Sequence, residues 1–382
     1  MYYNEIEIKM FPAISGDCLY IEFTKEDFRI LIDGGYVETY YTSLRPFLKK
    51  LNNRGKHLNL MIISHIDQDH INGIKALLQE NGIATNPNII SIDEVWFNGF
   101  RHTHTIRENK PIPFYEKNVL QLMANQNDLP HNHNEDKIHD ISFSQGQSVS
   151  ELLIKNNYNW NTSVNGNAIC SDLLNKTKFG NISLHILNPT QTILNKLTEN
   201  WIQSLKARCT SVVITDNHIF DDAFEGAYIN EHEEWITVVK EISNSNIVHE
   251  YDWKSLAEQP DDNVDTKLSN CSSIAILISY NNTNLLFPGD CPIEIFKENL
   301  PDKIDVVKLP HHGSGKNISK DFVQYTDVKY YLISTDGKHF GHPSPMIIAN
   351  ILTSTHGYPH IIKNYDIPLL NEIGELENDI DE

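Results

Sequence analysis

Four side chains of the kinds that bind metal ions lie within six consecutive positions of the sequence. His65, Asp67, Asp69 and His70 directly follow LNLMIIS (58–64), an apolar segment typical of a buried strand. A pair of divalent cations requires imidazole nitrogens and carboxylate oxygens, and a turn at a strand end can direct several of them to one point. The alternative is a solvated polar turn before a helix, which explains Asp69 or His70 alone better than all four together.

Other apolar segments also end in residues of these kinds. Asp33 lies in LIDGG, and Asp290 ends LLFPGD. His311 and His312 follow VVKLP and precede Gly-Ser. Either aspartate alone has a simpler interpretation as a turn residue, but two adjacent histidines are less easily explained. We therefore expect distant segments to complete a metal site that the first motif begins.

Alternating and continuous apolar patterns predict the elements that would position these motifs. Strands are predicted over residues 5–11, 17–23, 28–35, 58–64, 91–100, 182–189, 272–280, 284–290, 304–310 and 329–335. Helices that stop near glycines are predicted over residues 42–54 and 71–82. Strands alternating with helices are typical of a layered α/β or α+β domain.

Two polar stretches of weak periodicity interrupt the pattern, at about residues 101–180 and 190–268. We expect them to be insertions that decorate a single domain spanning residues 1–355 and cover its functional face. The second stretch includes a predicted helix, TILNKLTENWIQSLKA. Residues 356–382 are expected to form a C-terminal extension whose acidic tail frays or binds a protein partner.

The composition limits the class of protein. The chain has 382 residues, of which 40% are hydrophobic and 21% charged, and a formal net charge of −20. These values are typical of a globular protein and disfavour a generic nucleic-acid-binding surface. We find no apolar run long enough to span a membrane and no secretory signal pattern at the start. Five widely spaced cysteines without a CxxC pair indicate a reducing compartment, so a cytoplasmic location is expected.

The motifs LIDGG, HxDxDHxxG, a strand ending in GD, and HHGS, in this order, resemble those of the metallo-β-lactamase superfamily. Their spelling is most similar to the soluble hydrolase domain of the competence protein ComEC and its stand-alone relatives. SGDCLYIEF, LHILNP, SNCSSIAILI and FGHPSP match that group in kind. The resemblance covers residues 5–100, 180–190 and 268–355, and the pair HxDxDH and HHGS is its most specific part.

This resemblance implies an α+β fold, a four-layer αββα metallo-β-lactamase sandwich with polar insertions and a two-metal site at one edge of the paired sheets. It assigns His65 and Asp67 to one metal ion, and Asp69 and His70 to the other. The ions would be divalent, zinc or manganese. Asp67 stands where a histidine is more usual, which shifts the preference toward manganese or iron.

The remaining motifs receive roles by the same resemblance. Asp290 would bridge the two ions. Either His311 or His312 would complete the second metal site, and the sequence leaves open which. Asp33 would orient the ligands or a water at the site. His342, in GKHFGHPSP, would lie at the rim and hold a phosphate or protonate a leaving group.

One expected ligand has no clear counterpart, the histidine that normally precedes the GD strand. Asn270 in NCSS is a candidate for a weak ligand, and His102 and His104 in RHTHT are two more. If none of them binds, the first metal ion has one ligand fewer and is held more weakly than the second.

The predicted activity is metal-dependent hydrolysis of a phosphodiester, as a nuclease or on a small molecule. Lys308 and Lys316 flank HHGS and would contact an anionic substrate or be surface charges. The enzymatic alternative is hydrolysis of lactones or thioesters. The non-enzymatic alternative is a catalytically weak subunit of a larger complex, such as one for defence, with the insertions or the acidic tail as contacts for the partner.

Overall fold

A computed structural model describes residues 1–125, 147–209, 211–229, 252–354 and 359–371. Two mixed β-sheets form its centre. The first sheet contains, in spatial order, β1 (Tyr2–Tyr3), β2 (Ile6–Met10), β3 (Leu19–Phe23), β4 (Phe28–Ile32), β5 (Leu58–Ile62) and β6 (Ile92–Trp96). The second contains β13 (His360–Lys363), β12 (Asp327–Ile333), β11 (Lys303–Lys308), β10 (Thr283–Phe287), β9 (Ala275–Tyr280), β8 (Ile182–Asn188) and β7 (Lys176–Phe179).

Each sheet is antiparallel on one side and parallel on the other. In the first sheet, β1 to β4 pair antiparallel, whereas β4, β5 and β6 pair parallel. In the second, β7 to β10 pair antiparallel, whereas β10 to β13 pair parallel. The parallel strands of a sheet end at the same edge, so the loops that follow them converge there.

Helices cover the outer faces of both sheets. They are α1 (Val37–Thr39), α2 (Arg45–Asn53), α3 (Gln68–Asn81), α4 (Phe100–Thr103), α5 (Phe114–Ala124), α6 (Val149–Lys155), α7 (Gln191–Arg208), α8 (Ile219–Tyr228), α9 (Trp253–Glu258), α10 (Leu268–Cys271), α11 (Lys320–Tyr325), α12 (Pro345–Leu352) and α13 (Pro368–Asn371). Among the described residues, none of these helices is both long enough and apolar enough to cross a bilayer.

Three apolar layers hold the fold together. One lies between the two sheets and includes Ile30 and Ile62 of the first sheet with Ile276 and Val306 of the second. A second packs the first sheet against its helices, and a third packs the second sheet against its own. The order helix, sheet, sheet, helix confirms the predicted four-layer αββα sandwich.

The predicted strands and the predicted helix over residues 42–54 all have observed counterparts, with shifted ends. The prediction of a helix from residue 71 was wrong at its start, because α3 begins at Gln68. Asp67 is its N-cap residue and Asp69 lies in its first turn. An acidic side chain there is favoured by the partial positive charge at a helix N-terminus. The first helical turn, rather than a turn before the helix, therefore positions Asp69 and His70.

The two predicted insertions contribute helices to one layer. Buried side chains of α5 and α6, from residues 101–180, join those of α7 and α8, from residues 190–268, in the core beside the first sheet. The described part of the C-terminal extension adds β13 to the edge of the second sheet. The domain boundary at residue 355 stays a prediction, and the acidic tail lies outside the described residues.

Candidate metal centre

The loops at the carboxyl ends of the parallel strands bring the predicted metal motifs together. Asp33 follows β4, and the segment that contains His65 and His70 follows the neighbouring β5. Asp290 and the tandem histidines follow β10 and β11 in the other sheet. The backbone N–H of Ile274 donates to the carbonyl of Ser64 at 2.9 Å, which joins the two sheets at this edge.

One carboxylate oxygen, Oδ2 of Asp290, is the centre of the cluster. The Nε2 atoms of four histidines surround it, at 3.3 Å for His70, 3.7 Å for His65, and 3.8 Å for both His311 and His312. Asp290 is only 2% exposed. A buried anion is costly unless cations or hydrogen bonds compensate it, and here imidazole groups from both sheets face the same oxygen.

The spacing of these atoms fits shared metal ligands. Bond lengths near 2.1 Å and tetrahedral angles place two ligand atoms of one ion roughly 3.4 Å apart. Nε2 of His312 lies 3.3 Å from Oδ2 of Asp69, and Nε2 of His70 lies 3.7 Å from the same oxygen. Asp69, His70 and His312 thus offer three donor atoms within 4.8 Å of one another, as do His65, His70 and Asp290.

The donor atoms are also left without partners. Nε2 of His65, His70 and His312, and Oδ1 of Asp290, are buried and have no hydrogen-bond partner among the described residues. Buried polar atoms are normally satisfied, so several unsatisfied ones facing one point indicate a binding position for a cation. The residues therefore fit a divalent metal at the centre of this cluster.

Hydrogen bonds at the far side of each ring orient the imidazoles. Nδ1 of His70 lies 2.9 Å from Oδ2 of the fully buried Asp33. Asp33 also accepts from the N–H and the hydroxyl of Ser64, both at 2.7 Å. Since that hydroxyl donates to Asp33, it can accept from Nδ1 of His65 at 3.0 Å. Nδ1 of both rings is thereby engaged, and Nε2 is turned toward Asp290.

His312 is held in the same manner from the second sheet. Its Nδ1 donates to the backbone carbonyl of Ser334 at 2.9 Å and lies 3.4 Å from Oδ1 of Asp17. Asp17 forms an ion pair with Lys308, and both side chains are 1% exposed. The prediction that Lys308 contacts substrate or lies at the surface is therefore wrong, because this lysine is buried against a carboxylate behind the metal cluster.

The electrostatics of the cluster favour positive charge. Burial by itself would lower the pKa of His70, but Asp290, Asp69 and Asp33 together raise it well above the ordinary value. Burial would raise the pKa of Asp290, whereas His70, His311 and His312 lower it well below the ordinary value. The Asp290 carboxylate therefore remains ionised at neutral pH, as a metal ligand must be.

The two adjacent histidines have different surroundings. Nε2 of His312 faces Asp69 and Asp290, whereas Nδ1 of His311 lies 3.2 Å from Oδ1 of Asn317 and 3.6 Å from Oδ2 of Asp265. Both adopt left-handed backbone conformations, with φ of 46° and 57°. This geometry favours His312 as the ligand beside Asp69.

Asp67 has a different neighbour from the other predicted ligands. Its Oδ2 lies 3.5 Å from Nε2 of His65, but the same oxygen accepts a hydrogen bond from Nζ of Lys267 at 2.9 Å. Asp67 belongs to none of the groups of three close donors found in the described part of the chain. A cationic side chain thus reaches the predicted first metal position.

The three candidates for the missing ligand are engaged elsewhere. The side-chain amide N–H of Asn270 donates to Oδ2 of Asp265 at 2.7 Å, and its Oδ1 accepts from the hydroxyl of Ser269 at 3.4 Å. His102 packs edge-on against the ring of Trp160, and burial lowers its pKa to about 3. His104 stacks on Phe100. None of the three belongs to a close donor group within the residues described.

His342 lies beside the cluster. Its ring centroid is 5.3 Å from that of His311, and its Nε2 is buried without a hydrogen-bond partner among the described residues. Burial, together with His311 and His312, lowers the pKa of His342 well below its ordinary value. The ring is therefore neutral at neutral pH, which disfavours the prediction that His342 binds phosphate as a cation. The neighbouring His339 is paired with Asp336 instead, at 3.0 Å.

Two glycines allow the loops of the site to pack closely. A Cβ on Gly73, the last residue of HxDxDHxxG, would collide with the backbone carbonyl of Gly34, next to Asp33. A Cβ on Gly16 would collide in the same way with the carbonyl of Asp69. Only a residue without a side chain fits at either position, so these glycines set the distances between ligand-bearing loops.

Helices from the second insertion form one wall of the site. A small cavity beside His65 is lined by Leu194 and Leu197 of α7 and by Tyr228 of α8. Ser269 and Ser272, close to the missing-ligand region, line it as well. The insertion therefore contributes apolar surface next to the predicted ligands.

Part of the chain matches a known protein family. Residues 12–108 match the family model of the metallo-beta-lactamase superfamily. The match includes Asp17, Asp33 and the whole HxDxDH motif, and the metallo-beta-lactamase sandwich is the fold observed. Asp290 and the tandem histidines lie beyond the match and join the site through the fold alone. No curated protein matches the sequence of the chain. The finer similarity to the ComEC hydrolase domain is without support from these comparisons.

Several residues of the site were not identified from the sequence. They are Asp17, Ser64, Asp265, Lys267 and Asn317. For Asp17 a signal was present, because it follows Gly16 in the strand motif SGDCLYIEF. The others are polar residues in loops, and only the tertiary contacts distinguish them from solvated ones.

Proposed function

We propose that this protein is a metal-dependent hydrolase that acts on phosphodiesters. The observation that carries the proposal is the convergence of four imidazole Nε2 atoms on Oδ2 of the buried Asp290, with Asp69 beside two of them. Divalent metals are typical of the superfamily that matches residues 12–108, and its members are generally hydrolytic. When bound, such an ion would lower the pKa of a water and stabilise negative charge on a substrate oxygen.

The chain's own residues have definable tasks in this reaction. Asp69, His70, His312 and Asp290 would hold the ion. Asp33 would keep His70 in the tautomer that presents Nε2, through the 2.9 Å contact to Nδ1. Asp69, whose pKa burial would raise but His70 and His312 lower to about 2, would remain ionised at working pH.

The choice of a phosphodiester depends on the surroundings of the cluster. The donor set joins carboxylate oxygens to imidazole nitrogens, a mixture that accepts manganese as well as zinc. Lys267 lies at the cluster, and the exposed Lys316 is close enough to help depress the pKa of His342. Two lysines near the site are suited to an anionic substrate. The net charge of −20 favours a small phosphodiester, or nucleic acid brought by a partner, over unaided duplex binding.

The substrate class can be tested with a panel of model substrates. The full chain, supplied with Mn²⁺ or Zn²⁺, should hydrolyse bis-p-nitrophenyl phosphate more efficiently than a γ-lactone or a thioester. Asp69→Ala should abolish that turnover. Asp302→Ala, which removes an exposed carboxylate far from the site, should leave it unchanged. Faster turnover of the lactone or thioester would show that this class, rather than phosphodiesters, is the substrate. Metal binding without turnover of any substrate would favour the non-enzymatic subunit.

A further inference from the structure

The donor atoms around Asp290 divide into two unequal metal positions. Asp69, His70 and His312 form the first, where all three side chains offer a donor atom and are held by the fold. His65 and Asp67 form the second position in this order, although the resemblance assigned them to the first ion. At that position the oxygen of Asp67 that faces His65 is the one bound by Lys267. A metal ion there would compete with an ammonium group for the same carboxylate oxygen.

The position of Lys267 is determined by the loop before α10. Its backbone N–H donates to Oδ1 of Asp265 at 2.9 Å. Oδ2 of the same carboxylate accepts from the amides of Asn270 at 2.7 Å and Asn317 at 3.1 Å. Asn317 in turn donates to the backbone carbonyl of Asp290 at 2.8 Å. The loop is thus tied to the metal cluster, and it brings Lys267 to Asp67.

The region that this loop occupies is the one where the third ligand of the second ion was expected. The described residues provide no histidine there, and Asn270 is engaged with Asp265. The side chains of Lys267 and Asp67 are only 21% and 15% exposed. At such partly buried positions, two like-charged cations a few ångströms apart repel each other strongly. Nε2 of His65 and Oδ1 of Asp67 still have no hydrogen-bond partner among the described residues. The ammonium group of Lys267, rather than a lack of donor atoms, is therefore what disfavours a second ion.

We propose that the ammonium group of Lys267 takes the place of the second metal ion. The chain then binds one divalent cation, at Asp69, His70 and His312, and Lys267 supplies the positive charge on the other side of Asp290. In the reaction proposed above, on which this role in catalysis rests, Lys267 would contact an anionic oxygen of the substrate. Asp67 would be the positioning residue for the ammonium group rather than a metal ligand.

The proposal can be tested by counting bound manganese in the full chain after its metal has been removed with a chelator. We expect one Mn²⁺ to bind, with an uncoupled electron paramagnetic resonance spectrum, and a second to bind at least a hundredfold more weakly. Lys267→Ala and Lys267→His should each increase the affinity for a second Mn²⁺ at least tenfold. Both variants should then give the exchange-coupled spectrum of two neighbouring ions. Lys267→Arg, which keeps the charge, should behave as the wild type.

Two controls separate this effect from others. Lys303→Ala removes an exposed lysine at the start of β11 and should leave the stoichiometry at one. Lys267→Met keeps most of the side-chain volume, so it replaces Lys267→Ala if circular dichroism shows that variant to be unfolded.

Two ions of similar affinity in the wild type, or an unchanged affinity for the second ion in the uncharged variants, would overturn the proposal. So would the absence of any Mn²⁺ binding. Failure to hydrolyse phosphodiesters with one ion bound would instead refute the proposed function alone.

Discussion

Nδ1 of His70 and Oδ2 of Asp33 lie 2.9 Å apart, and both side chains are fully buried. This contact joins the end of β4 to the first turn of α3, and it leaves Nε2 of His70 directed at Asp290. A carboxylate that orients a metal-binding histidine in this way also raises the basicity of the imidazole. Asp33 thus influences the metal position without contacting it.

Replacing Asp33 by alanine should weaken metal binding about 10- to 100-fold. Two hydrogen bonds from Ser64 would be lost as well, so His65 would also be less well oriented. Isothermal titration of the metal-free chain with Mn²⁺ measures the effect. Asp33→Asn, which can still accept from Ser64, should lose less affinity than Asp33→Ala. Unchanged affinity in both folded variants would contradict the orienting role.

The tandem histidines should respond differently to substitution. His312→Ala removes a donor atom 3.3 Å from Asp69, so it should reduce affinity for the first Mn²⁺ by two orders of magnitude or more. His311→Ala should reduce it far less, because His311 belongs to no group of three close donors in the described part of the chain. Direct titration of both variants gives the comparison. Equal losses would show that our assignment of His312 as the ligand is wrong.

The buried ion pair of Asp17 and Lys308 should stabilise the fold only while both partners are present. Removing one partner leaves an uncompensated buried charge, at a cost of about 3–5 kcal/mol. Asp17→Asn and Lys308→Met should therefore each lower the free energy of unfolding, and the double variant should lose less than the sum. Chemical denaturation of the four proteins measures this coupling. Additive losses would mean that the two side chains do not interact energetically.

Glu225 should make stability depend on pH. Burial raises its pKa from 4.5 to about 7, although hydrogen bonds from the N–H and hydroxyl of Ser150 offset part of that shift. Between these values the folded chain keeps a proton that the unfolded chain has lost. Its contribution to stability is thus fully present below pH 4.5 and is lost as the pH rises through 7, with a total of roughly 3 kcal/mol.

The variant Glu225→Gln isolates this contribution, since glutamine does not titrate. The difference in unfolding free energy between the variant and the wild type should change by that amount from pH 4.5 to 7 and stay constant above it. Denaturation curves at a series of pH values provide the measurement. A difference that does not vary with pH would refute the raised pKa. The comparison removes the titration of the metal cluster, because both proteins contain it.

Much of the fold could be predicted because its signals are local. The apolar segments before Asp33, His65, Asp290 and His311 are strands, and the motif residues lie where those strands end. Parallel pairing at one edge then follows from the topology. The predicted grouping of HxDxDH, Asp290 and HHGS needed only these facts, together with the resemblance.

The contacts of Lys267 and Lys308 could not be predicted in this way. Lys267 meets Asp67 from 200 positions away, and Lys308 meets Asp17 from the opposite sheet. Nothing in the neighbouring sequence distinguishes a lysine that enters a metal cluster from one on the surface. The start of α3 could not be predicted either, because the sequence indicates a turn at Asp69 and His70 although both lie in a helix.

The proposal of a metal-dependent hydrolase is tested most directly by titrating the metal-free chain with Mn²⁺. Bound Mn²⁺ and turnover of bis-p-nitrophenyl phosphate are measured at each point. We expect no turnover without metal, and turnover that rises in proportion to the first ion bound. Asp69→Ala should show neither binding nor turnover in the same range. Turnover that persists in the chelated protein, or that is unrelated to the bound ion, would contradict the central claim.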